Sequence, residues 1–221
     1  MEFQTKQIES KIGYVFSNKE YLQNAFVHSS YANEHKVSSN ERLEFLGDSV
    51  LSLVITDEIF HKMKKNEGDL SKIRASLVSE KSLSFIFSQL DLLSHLICGE
   101  GLKNSVPSQA MQADAMEAII ASVYLDSGME SARRFVLRLF EEPLKQIKRS
   151  GVPESHKSIL QEKFKNAKIV YQVSSSGEGQ DKFYVSKVFI NGVMSGIGRS
   201  GKKREAEDLS AKEALERVKK A

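Results

Sequence analysis

Two stretches of the chain concentrate carboxylates at helical spacing. In NERLEFLGDSVLSLV, residues 40–54, Glu41, Glu44 and Asp48 recur every three or four residues. At 100° per residue they share one helix face, while Leu43, Leu46, Val50 and Val54 form an apolar one. In QADAMEAIIASVY, residues 112–124, Asp114 and Glu117 point nearly opposite to Met116, Ile119, Ile120 and Val123, with Ala118 and Ala121 flanking them. Like charges so close repel unless a proton or cation offsets them. Plain solvation of two charged faces is one reading. The other is that the alanines let the second helix approach the first, so that Glu44, Asp48, Asp114 and Glu117 converge. Four carboxylates without His or Cys make a hard, oxygen-rich donor set, suited to magnesium or manganese rather than zinc. Such a site activates water and stabilises the leaving oxygen of a phosphodiester, so the chemistry expected is metal-dependent phosphate-ester hydrolysis. Phe45 falls between the faces, either covered by another segment of its own domain or part of an interface with another chain.

The elements that must position these acids are read from periodicity. Up to about residue 148, apolar residues recur at helical spacing in segments 8–16, 20–34, 43–63, 70–90, 112–125 and 130–148. Breaks fall at NEGD, at GEGLKNSVPSQ and at DSG, where Gly128 can end a helix. RSGVPESHK, with Gly151 and Pro153, reads as a linker. Beyond it, KSILQEKFKNA reads as a helix, IVYQVS and KFYVSKVFI as strands, and Asn191-Gly192 as a hairpin turn leading into a returning strand. KKREAEDLSAKEALERVKK closes as a helix with Ala211, Ala214, Leu215 and Val218 as its apolar stripe. The expected fold is an all-α domain over 1–149, a linker over 150–155 and a small α+β domain of order α-β-β-β-α over 156–221.

Charge divides the same way. Residues 1–154 carry 18 Lys and Arg against 21 Asp and Glu, net −3; residues 155–221 carry 14 against 8, net +6. A basic smaller part suits a polyanion, although a solvated basic surface has the same composition. The lone cysteine, Cys98, excludes an internal disulfide and a cysteine-built zinc site. MEFQTKQIES lacks the apolar core of a signal peptide and no run of ~18 apolar residues follows. A cytoplasmic location with no membrane partner is expected. His28, His35, His61, His95 and His156 form no metal-binding spacing.

GIGRSGKKREAE, residues 196–207, spells G-x-G-x-x-G with Gly196, Gly198 and Gly201. A dinucleotide site needs a parallel strand after the helix and an acid ~20 residues on, and the hairpin signal makes the preceding strand antiparallel instead. No nucleotide cofactor is expected. The glycines read as a tight strand-to-helix turn, and Lys202, Lys203 and Arg204 at a helix start, where backbone N–H groups favour anions, as a phosphate clamp.

NERLEFLGDSVL, with AFVHSSYANE before it and EGDLSKIRASLVS and ADAMEAIIASVYLDSG after it, resembles the bacterial ribonuclease III catalytic domain from about Ile12 to Gly128. The C-terminal unit resembles the double-stranded-RNA-binding domain attached to it. The resemblance implies a homodimeric, magnesium-dependent endonuclease, with manganese able to substitute. It would cut double-stranded RNA to 5′-phosphates and short 3′ overhangs, in processing of ribosomal RNA precursors and messenger RNA; a non-cleaving RNA-binding protein of the same fold is the alternative. It further implies that Glu44, Asp48, Asp114 and Glu117 hold metal, with Asp48 and Glu117 the most sensitive catalytically. Glu41 and Glu67 would edge the substrate valley, Phe45 would enter the partner subunit, and Gln161 and Glu162 would meet the RNA minor groove. Gln180 stands where the family usually has a histidine, which puts minor-groove contact from that loop in question, and the glycine turn departs from the usual pattern, which leaves open which of the three cations meets phosphate.

Overall fold

The computed structural model of the chain describes residues 4–102, 105–150, 155–177 and 182–220. It divides into two units, Met1–Pro153 and Glu154–Ala221. The first is helical: α1 Thr5–Ile12, α2 Lys19–Ala25, α3 Ser29–His35, α4 Glu41–Lys62, α5 Glu67–Leu77, α6 Glu80–Gln89, α7 Gln109–Leu139 and α8 Glu141–Ser150, with 3-10 turns at Leu93–His95 and Glu100–Leu102. Several of its helix starts carry side-chain caps. Asn66 Oδ1 accepts from Asp69 N at 2.9 Å, and the hydroxyls of Ser79 and Ser108 accept from Ser82 N and Met111 N.

Four segments expected as single helices are broken, one of them, 130–148, at Phe140 between α7 and α8. Gly13 takes a left-handed conformation (φ 64°) that ends α1, and Phe16 N folds back to donate to the buried Glu9 carboxylate at 2.7 Å. Residues 20–34 split at Val27, which pairs as an isolated parallel bridge with Ile97; there the backbone bonds of a neighbouring loop replace helical ones. Residues 70–90 split where Ser79 caps α6. At Gly128 (φ 78°, ψ −179°) α7 kinks, and Asp126 just before it accepts from Ser17 N, Asn18 N and Tyr14 OH.

The core of this unit lies between α4 and α7. Leu51, Val54 and Ile55 from α4 and Met116, Ile119, Ile120 and Val123 from α7 are almost wholly buried, as are Ala118 and Ala121. Gly47 sits where the helices cross: a methyl group there would land on the Glu117 carbonyl of α7. Only a residue without Cβ allows this approach. Farther along, Arg133 of α7 donates to Asp57 and Glu58 of α4.

In the second unit α9 His156–Lys163 precedes β1 Ile169–Ser176, β2 Phe183–Ile190, β3 Val193–Ser200 and α10 Lys203–Lys220. The strands form an antiparallel sheet in the order β1-β2-β3, with Asn191 and Gly192 at positive φ in the hairpin. Leu160, Val188, Ala211, Ala214 and Leu215 form its core. Ser150 belongs to α8 and Ser155 caps α9; residues 151–154 of the expected linker, and Gln180, lie outside the described residues. The glycine reading needs correction. Gly196 and Gly198 lie within β3, and a Cβ on either would strike the backbone of α10, at Ser210 and Ala214 or at Ala206 and Ser210. They permit close strand–helix packing, and only Gly201 sits in the turn. Among the described residues no helix is long and apolar enough to cross a membrane.

The α4–α7 contact carries a direct expectation. Gly47→Ala should lower stability by about 1–3 kcal/mol, the usual cost of overpacking, although alanine is the better helix former. Chemical denaturation would measure it, and an unchanged midpoint would refute the close contact.

Candidate active site and nucleic-acid interface

Asn40 fixes where α4 begins. It is buried, its N–H donates to Val27 O at 2.9 Å, and its carbonyl accepts from Glu44 N at 2.9 Å. Glu41, Glu44 and Asp48 then project from the first two turns, and the Gly47 crossing sets them against Asp114 and Glu117 of α7. Glu117 is the residue whose backbone Gly47 touches, so its side chain leaves from the crossing itself.

The charges of these acids act on one another. Burial raises the Glu117 carboxyl to about 8, reinforced by the charges of Asp48, Glu44 and Asp114. Glu44 is raised by burial and then by Asp114, Glu41 and Asp48. Asp114 is raised by burial and by Glu80, with His28 opposing. Asp48 is exposed, with the Ser52 hydroxyl 3.4 Å from its Oδ1. Glu41 is also exposed and accepts from Ser39 Oγ at 2.9 Å.

The structure thus gathers Glu44, Asp48, Asp114 and Glu117 into one charge group, with Glu41 at its edge. Glu67 is not among the charges acting on Glu44, Asp114 or Glu117. It opens α5 and accepts from Ser71 Oγ at 2.9 Å. As the side chains stand, no three His, Cys, Asp or Glu groups among the described residues are drawn together tightly enough to grip an ion. The donor chemistry nevertheless fits a hard divalent cation. Every donor is a carboxylate oxygen, and their mutual repulsion is what such a cation would relieve.

Phe45 is 79% exposed, so no described segment of its own unit covers it. Spacing alone did not single out Leu53 and Phe60, which are also exposed and follow Phe45 within an arc of about 80° on α4. Their common face was legible as a second apolar stripe on the same helix. Asn40 and Gly47 were also missed. The signals available were a cap-type residue ahead of an acidic first turn and a mid-helix glycine that costs about 1 kcal/mol unless packing requires it. His28 caps α3: its Nδ1 accepts from Ser30 N at 3.2 Å.

In the second unit, Gln161 and Glu162 are exposed on α9, and Lys202, Lys203 and Arg204 are exposed at the start of α10. The two helices are tied together: His156 Nδ1 lies 2.7 Å from Asp208 Oδ2, and Lys157 pairs with Glu207 at 2.5 Å while covering the Tyr171 ring. Both sets of polar and cationic side chains therefore sit on the helical side of the sheet, with the N–H groups of α10 adding to the attraction for phosphate.

The raised Glu117 value predicts a pH dependence. The folded chain keeps a proton on Glu117 that the unfolded chain loses near the ordinary glutamate value of 4.5. Stability of metal-free protein should therefore fall from that value until pH passes about 8. Thermal melts in chelator across this range should show the fall, and Glu117→Gln should flatten it. An identical slope in the variant would remove Glu117 as its source.

Comparison with known proteins agrees with this geometry. Residues 18–144 match the family model described as Ribonuclease-III-like, and residues 156–218 match the double-stranded RNA binding motif. Among curated relatives, Ribonuclease 3 of Caldanaerobacter subterraneus subsp. tengcongensis is 41% identical over 96% of both chains. Ribonuclease 3 of Clostridium botulinum strain Eklund 17B is 40% identical over 99% of this chain and 97% of its own. The solved nuclease domain of ribonuclease III from Campylobacter jejuni is 40% identical and superposes with a TM-score of 0.60, covering 63% of this chain and 97% of that one. The helical unit with its carboxylate crossing and the basic α-β-β-β-α unit are the two parts of one enzyme type: the chain belongs to the ribonuclease III family of endoribonucleases that act on double-stranded RNA.

Proposed function

We propose that the chain cuts double-stranded RNA as a magnesium-dependent homodimer, leaving 5′-phosphates and short 3′ overhangs, and that ribosomal RNA precursors and messenger RNA are among its substrates. The observation that supports this most directly is the half-buried Glu117, lifted to about 8 among Asp48, Glu44 and Asp114. A surface acid of a merely solvated helix has no reason to sit in such an environment.

Glu44, Asp48, Asp114 and Glu117 are the residues that would hold the cation. A bound magnesium, or manganese in its place, supplies Lewis-acid activation of water and neutralises charge on the scissile phosphate. The rest of the work falls to the chain. Glu117 would have to give up its proton to hold a cation, and Asp48, the most exposed of the four, faces solvent from which water and substrate enter. The Gly47 contact sets the spacing of the two helix backbones, which leaves only side-chain rotation to bring the carboxylates together. Glu41 and Glu67 serve at the edge of the substrate path. Gln161 and Glu162 address the shallow minor groove of the duplex, where 2′-hydroxyls are displayed, and Lys202, Lys203 and Arg204 take phosphates. Phe45, with Leu53 and Phe60 extending its stripe, covers itself against a second copy. The solved Campylobacter jejuni nuclease domain has a flexible region involved in dimer formation, in keeping with this reading.

Purified protein incubated with long duplex RNA should cut in magnesium and not in chelator. Glu117→Gln should reduce cutting by at least about a hundredfold while duplex affinity, read by gel shift, stays near wild type. Intact duplex under both conditions, with binding retained, would identify a non-cleaving RNA-binding protein instead. Separately, Phe45→Glu should move the protein toward monomer in sedimentation; an unchanged dimer would remove Phe45 from the interface.

A further inference from the structure

The RNA-binding unit has a second side. Its sheet turns Val188, Gly196 and Gly198 toward the helices and leaves the alternate residues of each strand outward. Strand register arranges these outward residues in rows. Val170, Phe189 and Met194 lie side by side at one end; Gln172, Lys187 and Ile197 come next, then Ser174, Val185 and Arg199, with Ser176 beside Phe183 at the far end. Val170, Met194 and Ile197 are exposed, at 38%, 44% and 43%. The three strands contain Lys187 and Arg199 and no Asp or Glu. The Arg199 guanidinium lies 3.6 Å from the centre of the Phe183 ring.

We propose that this open sheet face is a second RNA surface, one that takes unpaired nucleotides rather than duplex. It is separate from Gln161, Glu162 and Lys202–Arg204, which occupy the helical side, and does not depend on whether the first unit cuts. A duplex hides its bases, so an aromatic and apolar surface has nothing to offer it. Unpaired bases present flat π-faces that stack on aromatic rings, while their phosphates need cations and no carboxylates nearby. Phe189 and the Arg199–Phe183 pair supply two stacking planes on one strand, six residues or roughly 20 Å apart. Lys187 lies between them for phosphate, and Gln172, Ser174 and Ser176 offer hydrogen bonds to base edges. Charge decides against an apolar protein segment as occupant: the cations sit inside the rows, where such a segment would desolvate them without compensation.

The test uses the full chain in chelator, so that nothing is cut, with two fluorescent probes: an unstructured oligoribonucleotide and a blunt duplex. Wild type should bind both. Phe189→Ala and Lys187→Glu should each weaken single-strand binding about tenfold, the scale of one lost stacking contact, with duplex affinity unchanged within about twofold. Phe189→Tyr should restore it. Because Phe189 is half-buried, Ile197→Asp on the exposed third strand gives the same reading without risk to the core. The proposal is overturned if wild type does not bind the single strand. It is overturned equally if the single strand is lost with Lys202→Glu but not Lys187→Glu, or if face variants change self-association while both RNA affinities stay fixed.

Discussion

Gly47 brings the backbones of α4 and α7 into contact, and the site depends on that contact. A side chain at this position would strike the Glu117 carbonyl. With hydrogen alone, two helices bearing acids on their facing edges close to a distance that charge repulsion would otherwise oppose. The apolar residues pay for this closeness: Leu51, Val54 and Ile55 on one helix and Ile119, Ile120 and Val123 on the other are all but inaccessible. Burial at the crossing, and after it the charges of neighbouring acids, gives Glu117 its high proton affinity and raises Glu44 and Asp114 as well. Under the proposed function, a divalent cation would compete with the Glu117 proton for the same excess of negative charge.

The second unit repeats the device with a different result. Gly196 and Gly198 let β3 lie directly on α10, with Ala206, Ser210 and Ala214 as the small residues opposite. Close packing on one side fixes α10 so that its cationic N-terminus is held at a set place, and α9 is bound to it by Lys157, Glu207, His156 and Asp208. The other side of the sheet is freed of any packing duty within the unit. Its residues are then open to selection for contact rather than for folding, which is why an acid-free mixture of aromatic, aliphatic and cationic side chains there invites a functional reading.

Much was legible in the residues themselves. Periodicity separates apolar from acidic faces in segments 40–54 and 112–124 because both are long helices, where 100° per residue leaves little ambiguity. The Asn-Gly pair and the alternation beside it identify the hairpin for the same reason: each is a local signal with a steric cause. The breaks at Val27 and Ser79 were not legible. The first exists because Phe26 O and His28 N on either side of Val27 bond to Ile97, some 70 residues away, and the second because a serine hydroxyl captured a backbone N–H that a continuing helix would also have satisfied. The glycines of GIGRSGKKREAE misled by position, since a glycine needed for packing and a glycine needed for a turn are the same letter.

By itself, then, the sequence determined which carboxylates could act together, the division into an acidic helical unit and a basic mixed one, and the identity of the cations at the last helix. Each follows from residue type and short-range spacing. Tertiary structure alone decided that Glu117, rather than any other acid, is the one burial keeps protonated, that Gly47 sets the helices against each other there, and that Phe45 is left uncovered. Those outcomes depend on which helix approaches which and how nearly. Desolvation and charge coupling both vary steeply with that distance, and no local pattern encodes it.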